Sequence, residues 1–292
     1  MKKKILGIDI GGTKIQLGIV QESKVIHEKT FPTLSGSSKE DIVLNIIKEI
    51  EALGKHDFEG IGIGVPGLVD EKEGVVYDLL NISSWKEVHL KKHLEKHFKI
   101  PVKITNDANV FALGEKTLGE GKKYTNMVGI TMGTGFGTGI IANNQLYSGS
   151  FSSAGELGSL PYLDKTIEDY CSGKFFRREY DVKGTDLYLK AEKGDEEALR
   201  ILEEFGIHLG NAIKTILFIL SPEAIFLGGS VSKSFKFFEA QLKRTISDFP
   251  FKKVLDQLVI KPSDMENTAL LGAASLIISK RETSEIQQSI LP

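Results

Sequence analysis

The sequence predicts an α/β protein built as two related lobes. Three observations predict it: apolar, β-rich segments alternate with helical periodicities; an order of strands followed by helices occurs twice; and 292 residues leave room for one large domain or two modest ones. Lys4–Ile10 is apolar and β-rich, the Gly-Gly-Thr-Lys after it reads as a turn, and Ile15–Val20 and Val25–Thr30 complete a meander. Ser38–Leu53 sets Ile42, Val43, Ile46, Ile47 and Ile50 at helical spacing. Gly60–Val65 is a short buried strand. Val88–Phe98 is an amphipathic helix with Leu90, Leu94 and Phe98 on one stripe, Val102–Thr105 a strand and Asn109–Leu118 a helix. The outline then recurs. Met127–Met132, Gly139–Ala142 and Gln145–Tyr147 are strands with glycine-rich turns, and Glu196–Leu220 is a long helix stopped by Ser221-Pro222. Ile225–Leu227 is a strand running into Gly228-Gly229, and Thr268–Ile278 is a last helix. The polar stretch Gly119–Tyr124 is the weakest join, giving lobes 1–118 and 119–292, with the last helix a candidate to pack back on the first lobe.

Composition narrows the function. Hydrophobic residues at 41% and charged residues at 26% are an ordinary globular balance. Lys+Arg is 37 against Asp+Glu 39, a net charge of -2, which argues against a broad nucleic-acid or anionic-membrane footprint. A single cysteine, Cys171, excludes an internal disulfide framework and a multi-cysteine zinc site, and fits a reducing cytoplasm. The apolar run near Ile216–Leu220 is far shorter than the roughly 20 residues a bilayer needs. The basic start is cut short by Asp9 and the glycines, unlike a signal peptide.

The chemistry sits in glycine loops. Gly7-Ile8-Asp9-Ile10-Gly11-Gly12-Thr13-Lys14 runs a strand into a turn whose backbone N–H groups are free to approach phosphate oxygens. Lys14 adds a positive charge, and Asp9 is placed to hold Mg²⁺, directly or through water. A plain β-hairpin turn is the alternative. In Gly133-Thr134-Gly135-Phe136-Gly137-Thr138-Gly139 the glycines exceed what a tight turn needs, which favours close approach to a ligand over a bulged hairpin. Leu227-Gly228-Gly229-Ser230 suits a nucleotide or a simple strand-to-helix turn. Gly62-Ile63-Gly64-Val65-Pro66-Gly67 fits G-x-G-x-x-G, but Gly74 and a strand-like Val75-Val76 follow where a dinucleotide fold needs a helix. The P-loop pattern is absent.

Asn106-Asp107 ends a strand and starts a helix, either as a helix cap or as a general base held ionised at the helix N-terminus. Glu156 and Glu168 are surface carboxylates or acceptors of sugar hydroxyls. His89, His93 and His97 lie four apart, a metal-capable spacing that reads better as a solvated helix face.

The ordered set GIDIGGTK, GVPG, TNDAN, GTGFGTG, GELG and LGGS resembles the ROK family of sugar kinases and sugar-responsive repressors, from Lys4 to about Ala274. The resemblance implies an actin-like, hexokinase-like (ribonuclease H-like) α/β fold of two lobes around a central cleft. It implies an ATP- and Mg²⁺-dependent kinase of a hexose 6-hydroxyl, glucose foremost, acting as a cytoplasmic homodimer. By match, Gly11, Gly12, Thr13 and Lys14 form the first phosphate loop with Asp9 on the Mg²⁺ side. Gly133, Thr134 and Gly135 form the second, and Gly228 and Gly229 the adenosine-side motif. Asp107 is the catalytic base, and Gly67, Asn106, Glu156, Ser159 and Glu168 lie on the sugar side, Glu168 through E-x-x-x-S-G with Ser172 and Gly173. The family's zinc site has a histidine where Ser159 stands and cysteines where Leu160–Ile167 stands, so no zinc is expected. Repressors of the family carry a helix-turn-helix ahead of the first phosphate loop; only Met1–Lys4 stands there, so DNA binding is not expected. Small Ser152, Ser153 and Ala154 leave room for an acetamide, which keeps an N-acetylmannosamine or N-acetylglucosamine kinase open. Polyphosphate as donor and a non-catalytic sugar sensor also stay open.

Overall fold

A computed structural model describes residues 3–54, 57–79 and 81–278. The chain forms two compact units. Unit 1 is Met1–Lys122, Leu146–Ala154 and Met265–Pro292; unit 2 is Lys123–Gln145 and Gly155–Asp264. The segment Leu146–Ala154 and the last described helix both belong to unit 1.

In unit 1, β1 (Lys4–Ile10), β2 (Lys14–Gln21) and β3 (Lys24–Pro32) form the expected meander, followed by α1 (Lys39–Glu51) and β4 (Phe58–Val65). Ser38 caps α1 by accepting from Asp41 N at 3.1 Å, Glu40 and Asp41 complement the positive end of the helix dipole, and Ile42, Val43, Ile46 and Ile50 are buried. A small antiparallel sheet of β5 (Leu68–Asp70), β6 (Val75–Tyr77) and β7 (Glu87–Val88) comes next, then α2 (Leu90–Phe98), β8 (Val102–Asn106) and α3 (Asp107–Thr117). The main sheet has the order β3-β2-β1-β4-β8, with β1 antiparallel to β2 and parallel to β4, and β4 parallel to β8. Central β1 and β4 are apolar and almost wholly buried, as a strand covered on both faces must be, whereas edge strand β3 is mostly exposed and polar.

Unit 2 repeats that sheet. β9 (Met127–Met132), β10 (Phe136–Ala142) and β11 (Gln145–Leu146) are joined by β14 (Ala224–Gly228) and β15 (Val259–Pro262) in the order β11-β10-β9-β14-β15. The hairpin β12 (Pro161–Tyr162) and β13 (Lys165–Thr166), then α4 (Ile167–Cys171), α5 (Gly173–Tyr180) and α6 (Gly184–Glu192), fill a region that sequence periodicity leaves blank. Helix α7 (Glu196–Leu220) matches its expected span; Asp195 caps it from Ala198 N at 2.9 Å, and Ser221 ends it in the left-handed region before Pro222. Helices α8 (Phe235–Ile246) and α9 (Lys252–Gln257) follow. The core gathers Phe175, Phe176, Phe205 and Phe238 with Ile130, Leu202, Leu209 and Leu227.

The final helix, α10 (268–278 among the described residues), belongs to unit 1 and explains its strand glycines. A Cβ on Gly62 would lie 1.8 Å from the Ala273 carbonyl oxygen, one on Gly7 2.3 Å from that of Leu270, and one on Gly114 of α3 2.9 Å from Gly272 Cα. The helix rests on bare backbone. The G-x-G-x-x-G match at Gly62 is thus a packing surface and no nucleotide loop.

Candidate active site

In unit 1 the candidate residues gather at the C-terminal ends of the parallel strands β1, β4 and β8. Asp9 is the penultimate residue of β1, and Gly11–Thr13 make the turn into β2, closed by Gly11 N donating to the Lys14 carbonyl at 3.0 Å. Thr33, fully buried and unremarked in the sequence, ties this turn down. Its hydroxyl donates to the Gly11 carbonyl at 2.7 Å and its N–H to the Thr13 carbonyl at 3.1 Å. A Cβ on Gly12 would lie 2.4 Å from Asn81 Cβ, so the loop runs close against that residue. Thr13 and Lys14 stay exposed.

Helix α3 begins at Asp107, two residues earlier than periodicity suggests, because Asn106 is its cap. Asn106 Oδ1 accepts from Ala108 N at 2.9 Å, and its Nδ2 donates to the Gly67 carbonyl at 3.2 Å. Asn106 and Asp107 thus share the Ala108 N–H at the start of the helix. Asn106 does the capping and binds the Gly67 turn, whose φ of +84° suits glycine. Asp107 is left in the first helical turn, its Oδ1 also accepting from Ala108 N at 2.9 Å.

Both carboxylates of this unit are raised, Asp9 by burial and by Asp107, and Asp107 by burial. Burial, then the charge of Asp107, push Asp9 up from 3.8 to about 6, with Lys14 pulling the other way. Burial raises Asp107 too, against the lowering effect of the Ala108 N–H. Protein crowds the Asp107 carboxyl on one side, and the other side stays open to solvent.

In unit 2, Gly133–Gly135 links β9 to β10. Gly133 N donates to the Gly135 carbonyl at 3.0 Å, and Gly173 N at the start of α5 donates to the Gly133 carbonyl at 2.8 Å. Ser172 donates to the Thr134 carbonyl at 3.2 Å. Glu168 buttresses the same loop: its Oε2 accepts from Phe136 N at 3.0 Å, and its Oε1 is paired with Lys174. Glu156 and Ser159 are exposed, on a short turn laid against β10; a Cβ on Gly155 would lie 2.2 Å from the Thr138 carbonyl and one on Gly158 2.5 Å from that of Phe136. Gly228 ends β14 and Gly229, with a φ of +83°, sits against the Met132 carbonyl, so this motif adjoins Gly133. Beside these loops opens a cavity of about 500 Å³ lined by Gly133, Thr134, Lys174, Arg177, Lys183, Tyr188, Ser230 and Lys233 among others. Lys174 and Arg177 come from α5, Lys183 immediately precedes α6, and Lys233 follows the Gly228-Gly229 turn.

The segment where the family resemblance expects zinc ligands is closed by an aromatic cluster instead. Tyr162 on β12 shares a hydrogen bond with His208 Nδ1 at 3.1 Å and accepts from Asn211 Nδ2 at 3.1 Å, and the Tyr170 ring lies 4.7 Å from that of His208. Burial lowers the His208 pKa. On α2, His89 and His97 each meet a glutamate, Glu87 at 3.1 Å and Glu51 at 2.8 Å. Among the described residues no cluster of three or more His, Cys, Asp or Glu could hold a metal, and no helix is long and apolar enough to cross a membrane. Ser152 lines no open space for an acetamide: it is buried and its hydroxyl is bonded to Glu71 and the Val69 carbonyl.

Comparison with known proteins agrees with this layout. The model of the ROK family matches residues 5–280. The glucokinase of Thermotoga maritima is 28% identical across 94% of this chain and 98% of its own. The N-acetyl-D-glucosamine kinase of Histophilus somni is 30% identical, across 94% and 99%. Among solved structures, the ROK family glucokinase of Streptomyces griseus in complex with glucose and AMPPNP superposes with a TM-score of 0.79 at 27% identity, covering 94% of this chain and 98% of that one. The chain belongs to the ROK family and has the two-lobed, actin-like, hexokinase-like α/β fold of its kinases.

Proposed function

We propose that this ROK-family chain, a phosphotransferase acting on a sugar hydroxyl, moves the γ-phosphoryl group of ATP to the 6-hydroxyl of a hexose, glucose foremost. One observation carries the proposal: two raised carboxylates of unit 1, Asp107 at the start of α3 and Asp9 at the end of β1, beside a glycine turn pinned by Thr33. A general base works best with a pKa near the operating pH, and a raised carboxylate meets that need. Asp107 takes the proton of the sugar hydroxyl as its oxygen attacks phosphorus. Asn106, Gly67, Glu156, Ser159 and Glu168 serve the sugar. Gly11, Gly12, Thr13 and Lys14 in unit 1 and Gly133, Thr134 and Gly135 in unit 2 serve the phosphates. Gly228, Gly229 and the adjoining cavity serve the adenosine side, where Lys174, Arg177, Lys183 and Lys233 supply charge opposite to that of a nucleotide.

The residues fit Mg²⁺. Asp9 is a hard oxygen donor whose ionisation a neighbouring carboxylate opposes, and a divalent cation would relieve that opposition. Bound through Asp9, directly or by water, Mg²⁺ supplies charge neutralisation for the transferring group. We assign no zinc, since Tyr162, His208 and Asn211 brace the hairpin with their own hydrogen bonds. A homodimer in the cytoplasm is the proposed setting. An N-acetylhexosamine acceptor is the second reading, supported by the 30% identity to an N-acetyl-D-glucosamine kinase.

The test is ADP release from ATP·Mg²⁺ over a panel of glucose, fructose, mannose, N-acetylglucosamine and N-acetylmannosamine. Turnover on glucose that Asp107→Asn lowers by about 10²-fold or more supports the assignment. Preference for an acetamido sugar moves it to the second reading. Wild-type turnover in Asp107→Asn removes the base, and silence across the panel with ATP and with polyphosphate favours a sugar sensor.

A further inference from the structure

Thr105, the residue before the Asn106-Asp107 pair, is fully buried and donates its hydroxyl to Glu71 Oε1. The same oxygen accepts from Ser152 Oγ at 2.9 Å, and Glu71 Oε2 accepts from Ser148 Oγ at 3.1 Å. Asn109, one turn into α3, donates through Nδ2 to Thr105 Oγ1 at 3.3 Å and to the Ser152 carbonyl at 3.4 Å. One half-buried carboxylate thus joins three stretches of unit 1: the end of β5, the β8–α3 junction and the returning segment Leu146–Ala154. That returning segment holds Gly149, Phe151 and Ser152 at φ of +64°, +53° and +55°. Phe151 is half exposed, so packing alone does not impose its left-handed backbone, and the Glu71 bonds to Ser148 and Ser152 bracket it. The stretch 67–71 is also fastened twice to the same junction, by Asn106 to the Gly67 carbonyl and by Thr105 to Glu71.

We infer that Glu71 is a positioning residue for Asp107: through Thr105 it fixes the β8–α3 junction, and through Ser148 and Ser152 it fixes the strained segment beside it. This rests on the reading of Asp107 as the base. Glu71 touches no reacting atom in this scheme. Its effect falls on the chemical step, where a displacement of about 1 Å costs on the order of 10²-fold.

The experiment compares the full chain with Glu71→Ala, Glu71→Gln, Thr105→Val and Asp107→Asn, using the acceptor of highest turnover from the sugar panel and ATP·Mg²⁺. Glu71→Ala is expected to lower kcat about 10- to 100-fold and to leave KM for ATP within about twofold. Glu71→Gln is expected to restore kcat to within about threefold, because its amide oxygen accepts from Thr105 and Ser152 and its NH₂ donates to Ser148. A purely structural role gives instead a loss of activity in proportion to the folded fraction measured by circular dichroism, with no rescue by glutamine, and that result overturns the inference. If Glu71→Ala does not fold, Thr105→Val decides. It keeps the side-chain shape and deletes the one hydroxyl linking Glu71 to the junction, so kcat within threefold of wild type overturns the inference. Asp107→Asn separates the two claims: wild-type turnover there refutes the base, whereas an inactive Asp107→Asn beside fully active Glu71→Ala and Thr105→Val refutes the clamp alone.

Discussion

Asp9→Asn should make the metal-free protein more stable while abolishing its use of Mg²⁺. Burial and the charge of Asp107 raise Asp9 from 3.8 to about 6. That is roughly two pKa units at about 1.4 kcal/mol each, so an upper limit near 3 kcal/mol. Residual solvent access screens part of it, and about 1–3 kcal/mol is the expected range. The sign follows from proton linkage. The folded protein holds the proton more tightly than the unfolded chain, so this group's contribution is fully present below pH 3.8 and is lost as pH rises through about 6. Asparagine, neutral throughout, escapes the loss. In EDTA at pH 7.5 the variant should melt roughly 2–12 °C above wild type, given about 2–4 °C per kcal/mol for a unit of this size. At pH 4.5 only about a third of that difference should remain. Adding millimolar MgCl₂ should raise the melting temperature of wild type and not of Asp9→Asn, because only an ion that binds the native state stabilises it. An Asp9→Asn protein no more stable than wild type at pH 7.5, or a difference unchanged between pH 4.5 and 7.5, would refute the reasoning.

Three further predictions concern a packing glycine against a loop glycine, and two residues of the aromatic brace. Gly62→Ala drives a Cβ to 1.8 Å from the Ala273 carbonyl and should cost about 3 kcal/mol or more in urea unfolding, whereas Gly133→Ala meets nothing within 4 Å and should leave stability within about 0.5 kcal/mol while raising KM for ATP several-fold. Tyr162→Phe removes the hydroxyl shared by His208 and Asn211 and should cost roughly 1–2 kcal/mol. Because burial lowers the folded pKa of His208 below 6.5, this group's contribution to stability should fall as pH drops under that value, and in an Asp9→Asn background His208→Gln should flatten that slope in melts from pH 7.5 to 5.5.

The elements legible in the sequence are those whose burial is simple. Met127–Met132 and Glu196–Leu220 match their expected spans because a buried strand and a long amphipathic helix each write one period along the chain. The stretch between Ser150 and Glu196 was blank because its helices are short and bury few residues each; Phe175 and Phe176 of α5 are adjacent, which gives no stripe to read. Glycine misled in a specific way. Gly62 and Gly64 imitate a nucleotide motif, yet Gly62 exists for a helix more than 200 positions later in the sequence, which no local pattern reveals. Asp107 is legible as a choice between cap and base, and the structure names Asn106 as the cap residue while leaving Asp107 in the first turn on the same Ala108 N–H. Thr33 and Glu71 were not legible at all, since a lone threonine after a proline and a glutamate in a charged turn carry no signal until their distant partners are known.

The duplicated sheet explains why the candidate residues divide as they do. Both units run an antiparallel meander into parallel neighbours, in equivalent order, β3-β2-β1-β4-β8 and β11-β10-β9-β14-β15. In both, the turn after the first strand carries a glycine loop, Gly11–Thr13 and Gly133–Gly135, and the end of the next parallel strand carries another, at Gly67 and at Gly228-Gly229. Carboxyl ends of parallel strands leave unpaired backbone groups facing one edge, so they are where an α/β sheet meets its ligands. What differs is charge. Unit 1 places the carboxylates Asp9 and Asp107 at these ends, Asp9 raised by burial and by Asp107, whereas unit 2 lines its cavity with Lys174, Arg177, Lys183 and Lys233. The same backbone edge thus carries opposite charge in the two units, which is the division the proposed function uses: a cation and a proton on the Asp9 and Asp107 side, an anion on the other.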